Sequence, residues 1–527
     1  MTSTDRPCAS PPPPHPPALI RRSRGHGDPF GRPHRGDRQP IDERVKHSLS
    51  ITVPDELRIG ASWRPAEDGG TFAVADPATE LVIAEVANGT EQDAHDAVDA
   101  AAAALPDWAA TAPRFRSEIL RHSFELMIEK SDDLASLIVA ENGKALAGAR
   151  SEVAYAAGFF RWYAEEAARA LGTVQMAPSG ANSIMVQHQA VGVCILVTPW
   201  NFPAAMATRK IAPALAAGCT VVLKPASETP LTALAMVQIL IEAGVPDGVV
   251  NVLPSTRSGA VVQTMLADDR VRKMSFTGST EVGRVLLAEA ARSVVNCSME
   301  LGGNAPFLIF SDADLDEAVA GAMVAKMRNG GEACTAPNRF YVEESVAGEF
   351  ARLRAESMAA MSVGPGSDAA NDVGPLVNQS SRDKVASLVS DSVEAGATLV
   401  TGGVVPSGPG WFYPPTVLTD VPDGAPVMRE EIFGPVAPIA TFSSEEEAIA
   451  KANDTEYGLV AYVYTQDLAR GIRVAEALEV GMVGLNRGVV SDPVAPFGGQ
   501  KQSGVGREGG HDGLLDYMET KYIVLRW

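Results

Sequence analysis

Between residues 192 and 278 the chain alternates short β-branched runs with segments of helical length, and this alternation restricts the fold more than any other feature. The runs are "GVCILVTP", "TVVLKP", "VVNVLP" and "VRKMSFTG"; with them go "FPAAMATRKIAPALAAG", "TPLTALAMVQILIEAG" and "STEVGRVLLAEAARS". Parallel strands need a long crossover, and a helix supplies it, so the pattern predicts a parallel sheet covered on both faces. In such a sheet a ligand sits beyond the carboxyl ends of the strands, where strand-to-helix turns present backbone N–H groups. The turns here are "TPWNFP", "KPASETP" and "FTGSTEVG". The last has Gly278 and Gly283 but is not GxGxxG, so a tight turn with a helix cap explains it as well as a nucleotide site does. A second α/β block begins near Gly303, with strand-like "NRFYV", "PTVLTDV" and "GLVAYVYT".

Upstream, "TEQDAHDAVDAAAAALPDW" opens on a capping-box-like Thr90 and Asp93 and predicts a helix, followed by two more in "SEILRHSFELMIEKSDDLASLIVAEN" and "SEVAYAAGFFRWYAEEAARAL". Residues 1–50 differ: they are rich in Pro, Arg and Gly with few apolar residues, and read as a disordered extension or as an overextended gene start, with translation beginning near Val45. They contain no apolar core of signal-peptide length, and no later run reaches membrane-spanning length, so the chain is expected to be cytoplasmic. A net charge of -21 leaves no basic face for nucleic acid or an anionic membrane, so an anionic substrate has to be caught by local cations. The five cysteines, at 8, 194, 219, 297 and 334, form no CxxC pair and no metal-ligand spacing, so no metal site is expected.

Cys334, in "NGGEACTAPNRF", is by residue type either a nucleophile or a small buried hydrophobe. Its neighbours in sequence decide. "PWNFP" (199–203), "VVLKPASETP" (221–230), "FTGSTEVG" (276–283), "MELGGNAP" (299–306), "GEACTAPNRF" (331–340), "EEIFGP" (430–435) and "PFGGQKQSGVGREGG" (496–510) occur in the order and spacing of the aldehyde dehydrogenase superfamily. The chain resembles that superfamily over essentially everything after residue 50, and within it is most similar to the succinate-semialdehyde dehydrogenases.

The resemblance implies an α/β fold: a Rossmann-type dinucleotide-binding domain (51–171 and 191–302), an α/β catalytic domain (303–502), and a small oligomerisation element (172–190 and 503–527) that pairs across a subunit interface in a homodimer or homotetramer. It implies that Cys334 is the nucleophile, adding to an aldehyde to give a tetrahedral thiohemiacetal and then a thioester. Asn201 resembles the side-chain donor that, with the Cys334 backbone N–H, stabilises the oxyanion. Glu300 resembles the base that activates water for thioester hydrolysis.

By position, Thr198, Pro199, Trp200 and Leu301 resemble cofactor contacts. Lys224 resembles the contact to the adenine ribose, Gly278 and Ser279 those to the pyrophosphate, and Glu431 with Phe433 the pair at the nicotinamide ribose. Ser227 stands where NAD-preferring relatives often have a glutamate that repels a 2′-phosphate, so NADP is the expected cofactor, with NAD as the alternative. Arg209, Arg328 and Ser491 match the carboxylate-binding set of succinate-semialdehyde dehydrogenases. Ala336 replaces the second cysteine that many of them have, so no local redox disulfide is expected. The competing readings are an aldehyde dehydrogenase for glutarate semialdehyde or an aromatic aldehyde, and a cysteine hydrolase, for which none of His95, His122, His188 and His511 suggests a base.

Overall fold

The structure is a computed structural model describing residues 49–526; the proline-rich N-terminal segment and the reading of it as disordered lie outside the described residues. The four β-branched runs form strands Val193–Val197, Thr220–Lys224, Val250–Val252 and Val271–Thr277. With Asn296–Glu300 they make the parallel centre of an eight-stranded sheet. Counted along the chain, these five strands lie side by side in the order 3-2-1-4-5. The order reverses between Val193–Val197 and Val271–Thr277, so the turns after these two strands diverge and leave a crevice.

The sheet is completed by strands added antiparallel. Leu57–Ile59 pairs with Val250–Val252 and carries Ser62–Arg64 at the edge, while Gly504–Val505, from near the C-terminus, pairs with Met299 and Glu300. Glu91–Ala109 opens on a complete capping box between Thr90 and Asp93, as expected, but the stretch read as one helix from Ser117 to Asn142 is two, Pro113–Glu129 and Ser131–Asn142, broken at Lys130. Helix Pro203–Ala217 is buried at every residue, the behaviour of a helix enclosed on all sides, although it carries Arg209 and Lys210. Two buried charges in such a helix require partners.

A second sheet of seven strands runs Thr398–Thr401, Thr416–Thr419, Val436–Phe442, Pro337–Glu343, Ala305–Ile309, Val460–Tyr464 and Met482–Leu485, parallel except at the first pair. Each of the two large sheets is packed on both faces by an apolar cluster. A third sheet joins Thr173–Met176, Ser183–Ala190 and Met518–Leu525, so the two segments expected in the oligomerisation element pair with each other within the chain. Among the described residues no helix is long and apolar enough to cross a membrane.

One buried cation away from the crevice is left without a polar partner among the described residues. Arg354, on helix Glu344–Ala359, is fully buried, and none of its three guanidinium nitrogens has a hydrogen-bond partner among the described residues. Only the face of Phe340, 5.3 Å away, meets the charge, and burial brings its pKa down to about 9. An unsatisfied buried cation opposes folding, so Arg354→Met is expected to stabilise the protein by about 1–4 kcal/mol in urea unfolding. A lower unfolding midpoint in the variant would contradict this account.

Candidate active site

The two turns that diverge at the crevice bring the first half of the site. After Val193–Val197 come Thr198, Pro199, Trp200 and Asn201; after Val271–Thr277 come Gly278 and Ser279. The second half arrives from the other sheet, in the loop between helix Leu315–Met327 and strand Pro337–Glu343. There Asn329, Gly330 and Gly331 all have left-handed φ, and a Cβ on Gly331 would lie 2.2 Å from the carbonyl oxygen of Gly434, so this tight reversal needs glycine. It leads into Cys334, and the Tyr462 hydroxyl holds the following turn by donating to the Thr335 carbonyl at 2.9 Å.

These elements enclose a cavity of about 270 Å³. Cys334, Asn201, Arg209, Arg328 and Ser491 line it, as do Pro199, Trp200 and Leu301. Gly278 and Ser279 line it from the second turn, and Glu431 and Phe433 from the opposite wall. Thr198, Lys224 and Ser227 do not: Lys224 donates to the Ser258 hydroxyl at 2.5 Å, and the Ser227 hydroxyl lies 3.2 Å from the Glu228 carboxylate. Glu300 sits behind the cavity wall, almost wholly buried, with neither carboxylate oxygen hydrogen-bonded.

Whether a dinucleotide suits this crevice can be judged from its polar groups. Ser279 caps helix Thr280–Ala290, whose N-terminus opens toward the cavity side, and the buried Thr277 hydroxyl beside it has no partner. A Cβ on Gly278 would lie 2.4 Å from the Phe276 ring, so the backbone there stays bare for a ligand to approach. Across the cavity, Glu431 accepts the Gly303 N–H at 3.1 Å, and burial pushes its pKa up to about 7. Trp200 and Phe433 meet edge to face at 5.4 Å between ring centres. An anion-binding helix end, an acceptor for ribose hydroxyls and an aromatic wall fit the nicotinamide half of such a cofactor.

The charges around Cys334 decide what the thiol can do. Burial pushes its pKa up to about 12, opposed by Arg209 and reinforced by Glu300. Burial likewise raises Glu300 well above the carboxylate range, and the nearby charge of Glu508 adds to it. Burial works the same way on Glu508, but there the cations win: Lys210 donates to it at 2.5 Å and Arg209 lies 3.6 Å away, which keeps it ionised. Arg209 also donates to the Tyr155 hydroxyl at 2.6 Å and lies over the Phe497 ring at 4.1 Å. Arg328, by contrast, makes no hydrogen bond or ion pair among the described residues; its guanidinium faces the rings of Phe202 at 4.9 Å and Tyr155 at 5.4 Å.

Asn201 donates through Nδ2 to the Glu332 carbonyl at 3.1 Å, which leaves the second hydrogen of that amide for a ligand. Sequence reasoning missed Glu508 and Lys210. Their signal was present, since two adjacent cations in a helix otherwise apolar all round imply a buried carboxylate partner, but nothing in the sequence named which one.

The sequence profile described as the aldehyde dehydrogenase family matches residues 63–523. A succinate-semialdehyde dehydrogenase of Paenarthrobacter nicotinovorans is 56% identical over 442 residues, which is 84% of this chain and 98% of that protein. A glutarate-semialdehyde dehydrogenase of Pseudomonas putida is 48% identical over 467 residues, 89% of this chain and 97% of that protein. The crystal structure of an NADP-dependent enzyme of E. coli superposes with a TM-score of 0.89 at 46% identity, covering 90% of this chain and 98% of that one.

A thiol whose pKa stands near 12 reacts as thiolate only at high pH. In the absence of ligands, the iodoacetamide reactivity of Cys334, taken as the difference between wild type and Cys334→Ser, is expected to rise about tenfold per pH unit from pH 7 to 10. A plateau below pH 9 would show that the thiol is not held protonated by burial.

Proposed function

Because the chain belongs to the aldehyde dehydrogenase family, we propose that it oxidises succinate semialdehyde to succinate, with NADP as cofactor and NAD as the alternative. The observation that carries the substrate is Arg328, a cation without a carboxylate partner among the described residues, lining the same cavity as Cys334. In a protein of net charge -21, a free guanidinium beside the nucleophile suits a substrate with a carboxylate at its far end. Ser491 adds a hydroxyl to that end of the cavity. Arg209 also lines the cavity, but Glu508 and Tyr155 already engage it, so its share in holding the substrate is the smaller.

The chain's own residues account for the remaining roles. Once its thiol proton has passed to water, Cys334 adds as the thiolate to the aldehyde carbon, and the oxyanion that forms takes a hydrogen bond from Asn201 Nδ2 and from the Cys334 backbone N–H. One such donor is worth roughly 3–4 kcal/mol to the rate. When bound, the dinucleotide would supply the acceptor for the hydride whose loss converts the thiohemiacetal into the thioester. Lys224, Gly278, Ser279, Glu431 and Phe433 would hold it, with Thr198, Pro199, Trp200 and Leu301 around them. At Ser227 no acidic side chain excludes a 2′-phosphate, although Glu228 is adjacent. In its ionised form Glu300, whose raised pKa makes the carboxylate a stronger base and which has no hydrogen bond among the described residues, would take a proton from water as the thioester is hydrolysed.

The relatives that act on glutarate semialdehyde support a second substrate one methylene longer, since a methylene discriminates by only about 1–3 kcal/mol. A cysteine hydrolase fits poorly, because no histidine among the described residues lines the cavity. The division into cofactor, catalytic and oligomerisation parts at residues 51–171 with 191–302, 303–502, and 172–190 with 503–527 belongs to the same proposal, as do a homodimer or homotetramer and a cytoplasmic setting. Support for assembly comes from the third sheet, where Val174, Met176, Tyr522 and Val524 are all more than half exposed.

A charge-assisted hydrogen bond contributes about 1.5–3 kcal/mol, so Arg328→Ala is expected to lower kcat/KM for succinate semialdehyde about ten- to a hundredfold and for butanal much less. Arg209→Ala, which also strips a counter-charge from Glu508, is expected to lower both alike. Equal losses for the two substrates in Arg328→Ala would leave the protein an aldehyde dehydrogenase of another specificity.

A further inference from the structure

Asn201 holds its place in the cavity weakly through its own side chain. Among the described residues the amide makes a single hydrogen bond, from Nδ2 to the Glu332 carbonyl, and its buried Oδ1 has no partner. The aim of that amide is therefore inherited from the backbone, and the backbone is held from outside the cavity. Lys144 Nζ and Asn329 Nδ2 both donate to the Asn201 carbonyl, each at 2.9 Å, so both lone pairs of that oxygen are engaged.

Lys144 is one half of an ion pair with Glu152, whose two side chains are 1% and 0% exposed. The other half has its own task. Helix Pro203–Ala217 begins at Phe202 without a side-chain cap, and Glu152 supplies one from the neighbouring helix Leu146–Glu166 by accepting the N–H groups of Ala204 at 2.9 Å and Ala205 at 3.3 Å. The same Lys144 ammonium lies 4.1 Å from the centre of the Phe202 ring, whose face also meets Arg328. The Leu146 N–H donates to the Gly366 carbonyl at 3.0 Å, which anchors the lysine's own segment to the chain before strand Thr398–Thr401.

A single buried ion pair thus joins the carbonyl of Asn201, the first turn of the helix after it, and the aromatic ring beneath Arg328. Leaving two charges in so dry a place is expensive, and a hydrophobic pair of similar volume would stabilise the fold as well or better. What such a pair could not do is point a donor at a carbonyl oxygen.

We propose that Lys144 and Glu152 are positioning residues for the oxyanion-stabilising amide of Asn201: the ion pair fixes the Asn201 peptide plane and the following helical turn, and so aims Nδ2 at the oxygen of the thiohemiacetal. The inference rests on the cysteine chemistry proposed above and not on the identity of the aldehyde. A misaimed donor slows bond formation at Cys334 without changing how the cofactor binds.

The test is the pre-steady-state burst of NADPH absorbance with succinate semialdehyde, butanal or glutarate semialdehyde, whichever the wild type oxidises fastest. Lys144→Met is expected to slow the burst about ten- to a hundredfold, with its amplitude per folded protein and the KM for NADP nearly unchanged. Glu152→Gln keeps an acceptor for Ala204 and Ala205 while removing the lysine's counter-charge, and is expected to slow the burst about three- to tenfold. The double variant Lys144→Met with Glu152→Gln is expected to recover the melting temperature lost in Lys144→Met but not the burst rate. A burst that keeps its rate and loses only amplitude, or a double variant that regains both stability and rate, would assign the pair to folding alone and overturn the proposal. Wild type that forms no NADPH with any of the three aldehydes would overturn the functional reading as well.

Discussion

The site depends on the burial of Glu508 against two cations of one helix. Pro203–Ala217 lies wholly inside the protein, so Arg209 and Lys210 cannot reach water, and an unpaired charge there would cost several kcal/mol. Glu508 answers both, and the Ser275 hydroxyl on the central strand Val271–Thr277 adds a hydrogen bond at 3.2 Å. To deliver that carboxylate, the chain past residue 500 has to return to the first sheet, which it does by pairing Gly504 and Val505 with Met299 and Glu300. One electrostatic requirement therefore ties the C-terminal segment to the strand that carries Glu300 and to the helix that carries Arg209.

Several buried polar atoms around the site have no hydrogen bond among the described residues, although others, Arg354 and Tyr413 among them, lie elsewhere. Both oxygens of Glu300, Oδ1 of Asn201, Nε of Arg209, the Thr277 hydroxyl and one oxygen of Glu508 are buried without hydrogen bonds. Buried polar groups are nearly always paired, so such a concentration is a reserve of interactions waiting for a ligand or a reacting atom. Rigid elements hold these atoms in place. Asn201 and Gly278 stand in the turns after strands of one sheet, Cys334 in the turn before a strand of the other, and the reacting groups meet in the gap between.

Much of this was legible in the sequence because strand and helix periods are local. "TVVLKP" and "TPLTALAMVQILIEAG" declare their structures without any partner, and the order of the strand-to-helix turns already placed Asn201 and Gly278 at one end of the sheet. Cys334 became legible only through its company of motifs, since a lone cysteine is more often a buried hydrophobe than a nucleophile. Pairings between distant residues were not legible: Lys144 with Glu152 and Asn201, and Lys210 with Glu508, join residues that no period connects. The antiparallel strands Leu57–Ile59 and Gly504–Val505 were missed for the same reason, because three or two residues give too little pattern to read.

The central claim is that Cys334 carries the substrate as a thioester which Glu300 helps water to release. The most direct measurement is the intact mass of Glu300→Gln protein quenched with acid during turnover of succinate semialdehyde and NADP, followed by peptide mapping. The account predicts a mass increase of one succinyl group, located on Cys334 and removed by hydroxylamine. Turnover at the wild-type rate with no adduct, or an adduct on any other residue, would contradict it.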